Sequence, residues 1–192
     1  MARRREFDPE TALEQAMQVF WSQGYETTSL ADLLTATGLS KSSLYETFAS
    51  KHALFLAALE RYDETVMAEM VARLNDARLP RAAVVALIVS AANNSIYRDQ
   101  RGCLMANAAM ERGPRDAAAR ECIARAFARL EDAIARALER ARQTGEVKAG
   151  HDVRALAVFV VTTLNGLRVG AKIMPDRLRL NAVVQEALRA LG

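Results

Sequence analysis

Residues 37–51, TGLSKSSLYETFASK, carry four serines, two lysines, a tyrosine and a glycine around few apolar residues. On a helix of 100° per residue, Leu44 and Phe48 share one side while Ser42, Ser43 and Glu46 fall opposite. Lys41 and Tyr45 flank the apolar stripe on one rim and Thr47 on the other. The outward surface therefore holds short hydrogen-bonding groups with one cation, one aromatic ring and one carboxylate. Such a helix is slim enough to enter a DNA major groove, about 12 Å wide, where base edges are read by hydrogen bonds. Glu46 is the discordant member, because a carboxylate repels phosphate and finds a base partner only in a donor such as cytosine N4.

Other reactive side chains are few. His52 and His151 are the only histidines, they lie far apart, and neither accompanies a metal-ligand spacing, a nucleophile motif or a phosphate-binding glycine loop. No metal or cofactor is expected, and the chain is not expected to be an enzyme. Cys103 and Cys122 make neither a disulfide framework nor a zinc site, so reduced thiols are the default. In RGCLMANAAME, Cys103 stands near the start of a predicted helix and close to Arg98 and Arg101, surroundings that favour a thiolate. Cys122, mid-helix among alanines, reads as packing.

The elements that must hold these residues are helical throughout. Long windows of helical periodicity are broken by four prolines and nine glycines, with almost no alternating Val/Ile/Thr runs. Asp8 and Pro9 open a first helix whose inner face is Leu13, Ala16, Met17 and Phe20, and Gly24 closes it. Ser29 with Asp32 forms a capping box for a short helix carrying Leu30, Leu33 and Leu34 inward and ending at Gly38. Ser40 caps the helix over Lys41 to Phe48, and Ser50 caps a fourth running from Lys51 toward Leu74. Helices over about 81–97, 103–112, 115–143, 152–172 and 176–191 bring the count to about nine. The second and third helices with the ATGLS turn between them read as a helix-turn-helix unit, in which the second helix reads bases.

Residues 12–60, from ALEQAM to FLAALE, resemble the N-terminal domain of the TetR/AcrR family of transcriptional regulators. The resemblance rests on GY-x-TTS at 24–29, GLSKSSLY-x-x-F at 38–48 and SK-x-x-L at 50–54. It implies an all-α protein with a helix-turn-helix DNA-binding domain over 5–65 and a helical effector-binding and dimerisation domain over 66–192. Carried over by position, it makes Lys41, Ser42, Ser43, Tyr45 and Glu46 the groove-facing set, with Thr28, Thr47 and Lys51 near phosphates and Ser29 also among the DNA-binding residues. Thr28 and Lys51 also sit at helix N-termini, where free N–H groups favour an anion, and Lys51 adds a full charge. The implied partners are double-stranded operator DNA, a second copy of the chain, and an unidentified small-molecule or electrophilic effector that releases a repressor.

For the second domain, Gly166 and Gly170 stand four apart in an apolar helix and would let a partner helix approach closely. With Val183, Val184 and Leu188 of the last helix they are the expected dimer surface, two helices from each copy. Effector candidates are Tyr97, Asn107, Phe159 and Asn165, polar or aromatic groups among apolar positions, together with Cys103 and Lys172. The Gly-Cys-Leu run and the Ala-Lys-Ile at 171–173 resemble thiol-sensing members of the same family.

Composition bounds these expectations. Of 192 residues 51% are apolar, and no run approaches the roughly 18 uninterrupted apolar residues of a membrane helix. Three arginines open the chain with no apolar stretch behind them, which points to the cytoplasm. Arg3 to Arg5 read either as a solubilising tip or as an arm tracking the minor groove or phosphates. The net charge is +3, but residues 1–51 hold five Lys/Arg against seven Asp/Glu, so DNA affinity must come from placement rather than bulk charge. The competing reading is a helical adaptor or enzyme without DNA binding.

Overall fold

The computed structural model describes residues 8–97 and 101–192, with the backbone alone for 94–97. Arg3, Arg4, Arg5 and Arg98 lie outside the described residues, as do the side chains of Asn94 and Tyr97. Among the described residues the chain is all-helical: α1 (Pro9–Gln23), α2 (Leu30–Thr37), α3 (Lys41–Phe48), α4 (Lys51–Tyr62), a π-helical turn (Asp63–Met67), α5 (Ala68–Asn75), α6 (Pro80–Tyr97), α7 (Leu104–Glu111), α8 (Ala117–Gln143), α9 (Val153–Ile173) and α10 (Arg177–Ala190). The helix expected from Lys51 toward Leu74 is thus α4, the π turn and α5 run together, which leaves nine rods. The π turn, closed by wider hydrogen-bonded rings, has no signature in side-chain periodicity.

The helix boundaries follow local chemistry. Asp8 accepts from the N–H groups of Glu10 and Thr11 at 3.2 and 3.1 Å ahead of Pro9. Ser29 and Asp32 complete their reciprocal box, Ser50 accepts from the Ala53 N–H at 3.0 Å, and Gly38 ends α2 in the left-handed region at φ 65°. Asp152 and Asp176 cap α9 and α10 in the same manner as Asp8.

The chain divides into two compact units. The first comprises the chain through Thr65 together with Leu104–Ile123, and the second comprises Val66–Cys103 with Ala124–Gly192. Helix α7 and the start of α8 belong to the first unit. The reason is packing: α7 lies against α1 and α4. In the first unit α1 and α4 bury Ala16, Met17, Phe20, Leu54, Phe55 and Ala58, with Phe20 and Phe55 edge to face at 5.2 Å between centroids. In the second unit α6, α9 and α10 pack together around Val84, Ile88, Val160, Leu164, Leu180 and Val184. By length and composition α9 could cross a membrane, and its inner face, Ala157, Val160, Val161, Leu164, Leu167 and Ala171, is buried.

Candidate nucleic-acid interface

Helix α3 is held by one fully buried residue, Leu44, with Phe48 half-buried beside it. Its start is fixed by Ser40, whose hydroxyl accepts from the Ser43 N–H at 3.1 Å and lies 2.9 and 3.0 Å from the hydroxyls of Ser43 and Ser42. Lys41, Ser42, Tyr45, Glu46 and Thr47 are exposed and Ser43 is half-buried. Tyr45 is 38% accessible, a large ring left in solvent on a helix that buries little. Thr47 donates to the Ser43 carbonyl at 2.8 Å, which turns its hydroxyl back on the helix and leaves its methyl outward. The helix thus offers a polar ridge with one cation, one anion and one ring, seated on a small apolar foot.

The turn before α2 departs from expectation. Ser29 is exposed, but Thr28 is 1% accessible, and its hydroxyl donates to the Gly24 carbonyl at 2.5 Å. The side chain expected near phosphate is therefore spent inside the turn, and only the backbone there can face an anion. Lys51, half-buried at the first position of α4, holds its Nζ 4.5 Å from the centre of the Tyr25 ring. Its charge also helps Ser29 to keep the Asp32 carboxyl below its ordinary value, the Ser29 hydroxyl being the larger cause.

Sequence reasoning missed a polar cluster that braces this turn. The Glu111 carboxylate, at the end of α7, accepts the N–H of Tyr25 at 2.8 Å on one oxygen and the N–H of Glu26 at 2.7 Å on the other. Gly24, at φ 84°, leaves room for it, since an added Cβ there would stand 3.0 Å from the carboxylate. Arg112 pairs with Glu26 at 2.6 Å and with Asp116 at 3.4 Å, and its guanidinium lies 4.6 Å from the Tyr25 ring centre. Its Nε is buried with no hydrogen-bond partner among the described residues. Asp116 is buried, accepts from the Ala119 N–H at 3.1 Å and meets His52 Nε2 at 2.7 Å. Burial penalises the Asp116 charge, but the Ala119 N–H, His52 and Arg112 outweigh it and hold its carboxyl below the ordinary value. Glu26 chiefly raises Arg112 further into its charged range.

Residues 12–58 match the family described as bacterial regulatory proteins, tetR family, and residues 78–189 match the tetracyclin repressor-like C-terminal domain. The chain belongs to the TetR family. It is 34% identical over 195 residues to the HTH-type transcriptional regulator YezE of Bacillus subtilis (strain 168), with 100% of each chain covered. It is 32% identical over 189 residues to the HTH-type transcriptional repressor ComR of Escherichia coli (strain K12), covering 97% of this chain and 90% of ComR. Among solved structures, the TetR family transcriptional regulator CifR superposes with a TM-score of 0.84 at 36% identity, with 100% of each chain covered. That CifR is a cysteine mutant complexed with 26 bp double-strand operator DNA. As a TetR-family protein, this chain is a DNA-binding transcriptional regulator.

The effector candidates of this TetR-family chain come from several elements. Asn107 is half-buried on α7 in the first unit, whereas Phe159 is 40% accessible and Asn165 half-buried on α9 in the second. Lys172 is exposed and lies over Gly102, its Cε 3.1 Å from where a Cβ would stand, and the residue that follows Gly102 in the chain, Cys103, is 1% accessible. An open groove of about 370 Å³ on the first unit, lined by Gln15, Gln18, Val19, Ser22, Gln23 and Ala36, holds none of the candidates.

The pairing candidates are also redistributed. Gly166 is exposed with open space around it, but Gly170 faces Leu180 of the same chain, 3.7 Å from a notional Cβ. Val184 is core and Leu188 half-buried, while Val183, 100° around the helix from Val184, is exposed. A longer exposed stripe emerges on α9 at helical spacing: Ala155, Val158, Phe159, Thr162, Gly166 and Ile173. Among the described residues no group of three or more His, Cys, Asp and Glu side chains is arranged to hold a metal.

Proposed function

We propose that the chain is a homodimeric repressor that reads operator DNA through α3 and leaves it when an effector acts on the second unit. One observation carries the DNA reading: α3 spends only Leu44 on the core and presents Lys41, Ser42, Tyr45, Glu46 and Thr47 to solvent. In a major groove Ser42, Tyr45 and Glu46 supply donors and acceptors for base edges, Thr47 offers its methyl, and Lys41 supplies charge. Ser29 at the start of α2 and Lys51 at the start of α4 are assigned to phosphates, where helix N-termini favour an anion. Thr28 takes part through its backbone alone. Glu46 excludes sites that lack a donor opposite it.

Pairing is assigned to the exposed stripe of α9 with Val183 of α10, and its occupant to a second copy of the chain. Apolar groups at helical spacing on a face that the chain itself leaves open support this reading. Phe159 moves by this argument from the effector list to the pairing surface. A dimer also supplies the two recognition helices, about 34 Å apart, that successive grooves on one side of DNA require. The effector's action is a population shift between DNA-competent and incompetent states. Cys103, which follows the glycine that Lys172 lies against, is assigned to a thiol-reactive signal; being buried, it reacts through opening of its surroundings. The protein works in the cytoplasm as a regulator and carries out no catalysis.

An electrophoretic shift with the promoter DNA beside its own gene tests the proposal. Salt-sensitive, sequence-specific retardation is the expected result. Retardation that any competitor DNA abolishes equally would refute it.

A further inference from the structure

We infer that Glu111 and Arg112, from a segment more than 80 residues downstream, are positioning residues for DNA recognition; this rests on the DNA reading proposed above. Successive backbone N–H groups in a turn form a concave cradle for an anion. At Tyr25 and Glu26 that cradle is filled from within the chain, each oxygen of the Glu111 carboxylate taking one N–H. The same turn leads into Ser29 and Asp32, which open α2, and Thr28 is locked to Gly24 inside it. Glu111 thereby sets the start of the helix that precedes the recognition helix.

Arg112 ties the same turn to the start of α4. Its guanidinium and the Lys51 ammonium both lie over the Tyr25 ring, and through Asp116 it reaches the carboxylate that also holds His52. The starts of α2 and α4, where Ser29 and Lys51 are assigned to phosphates, are thus registered to one another by side chains from α7 and the α7–α8 turn. The DNA-reading unit is complete only with α7. The arrangement needs a carboxylate at 111: an amide of the same shape offers one acceptor and turns an NH₂ group against the second N–H.

The test is Glu111→Gln in the full-length protein, measured below its melting range by fluorescence anisotropy on the promoter fragment that the wild-type protein retards. Affinity is expected to fall about tenfold, since two charge-assisted hydrogen bonds are disrupted without loss of a DNA contact. The salt dependence of binding should stay at the wild-type slope, because no phosphate-contacting cation is removed. In the free protein, amide exchange at Tyr25 and Glu26 should rise while that of Leu44 stays protected. Arg112→Lys, which keeps the charge but loses the fork between Glu26 and Asp116, should weaken binding by a smaller factor and carries the test if Glu111→Gln does not fold. A folded Glu111→Gln protein with wild-type affinity, or exchange that rises uniformly along the chain, would overturn the inference. Failure of the wild-type protein to bind any promoter DNA would instead refute the parent reading, and exchange at Tyr25 and Glu26 would still decide whether Glu111 holds the turn.

Discussion

Truncating Phe159 to alanine should dissociate the dimer without harming the subunit. Phe159 is 40% accessible in the single chain, on the stripe assigned to the partner. Taking a phenylalanine surface of about 200 Å², roughly 80 Å² is left to be covered on pairing. At about 25 cal/mol per Å² this is about 2 kcal/mol for each copy and about 4 kcal/mol for a symmetric pair. A loss of about 4 kcal/mol raises the dimer dissociation constant by nearly three powers of ten. Sedimentation equilibrium over a wide concentration range reads this directly, with far-UV circular dichroism as the check on the fold. The expected outcome is a folded protein that sediments as monomer where the wild type is dimeric. A Phe159→Ala protein with the wild-type association constant would refute the assignment of the α9 stripe to a second copy and return Phe159 to the effector candidates.

Three further predictions address other parts of the molecule. Lys51→Met removes one phosphate-directed cation per subunit, so the slope of log affinity against log salt should fall by about one for each subunit, as read by anisotropy titrations at several salt concentrations. Asp116 has its folded-state carboxyl held below the unfolded value of 3.8, so its contribution is present above that value and is lost as pH falls through the lower, folded-state value. Urea denaturation from pH 7 down to pH 3 should therefore show a shallower acid loss for Asp116→Asn than for the wild type, and parallel curves would contradict the role of this pair. Cys103→Ser should bind the promoter fragment as the wild type does but no longer be released by oxidants or electrophiles; unchanged release would remove Cys103 from the sensing role.

What the sequence made legible is what local chemistry decides. Asp8 before Pro9, the Ser29–Asp32 box, Ser40 before α3 and Gly38 in the left-handed region each act within four residues, and each stands where the residues placed it. Leu44 as the anchor of α3 follows from one turn of helix geometry. The brace on the turn before α2 was not legible, because Glu111 meets Tyr25 across 86 positions and Asp116 meets His52 across 64. Residue type marks none of them: Glu-Arg-Gly-Pro-Arg-Asp reads as an ordinary polar connection. The inward turn of the Thr28 hydroxyl was hidden for a related reason, since whether a hydroxyl faces outward or into its own turn depends on the carbonyl of Gly24, which no side-chain pattern reports. Val183 and Val184 show the same limit in the second unit: both are apolar, and only the packing of α10 against its neighbours tells the exposed one from the buried one.

The central claim is sequence-specific recognition of DNA by α3, and selection from a random double-stranded pool tests it most directly. The wild-type protein should enrich a two-fold symmetric sequence with half-sites about one helical turn apart, and Tyr45→Ala, on a fully folded protein, should lose that enrichment while keeping weak, salt-sensitive binding to any DNA. A wild-type protein that enriches no sequence, or a Tyr45→Ala, Lys41→Ala double variant that enriches the same sequence as strongly, would contradict the account.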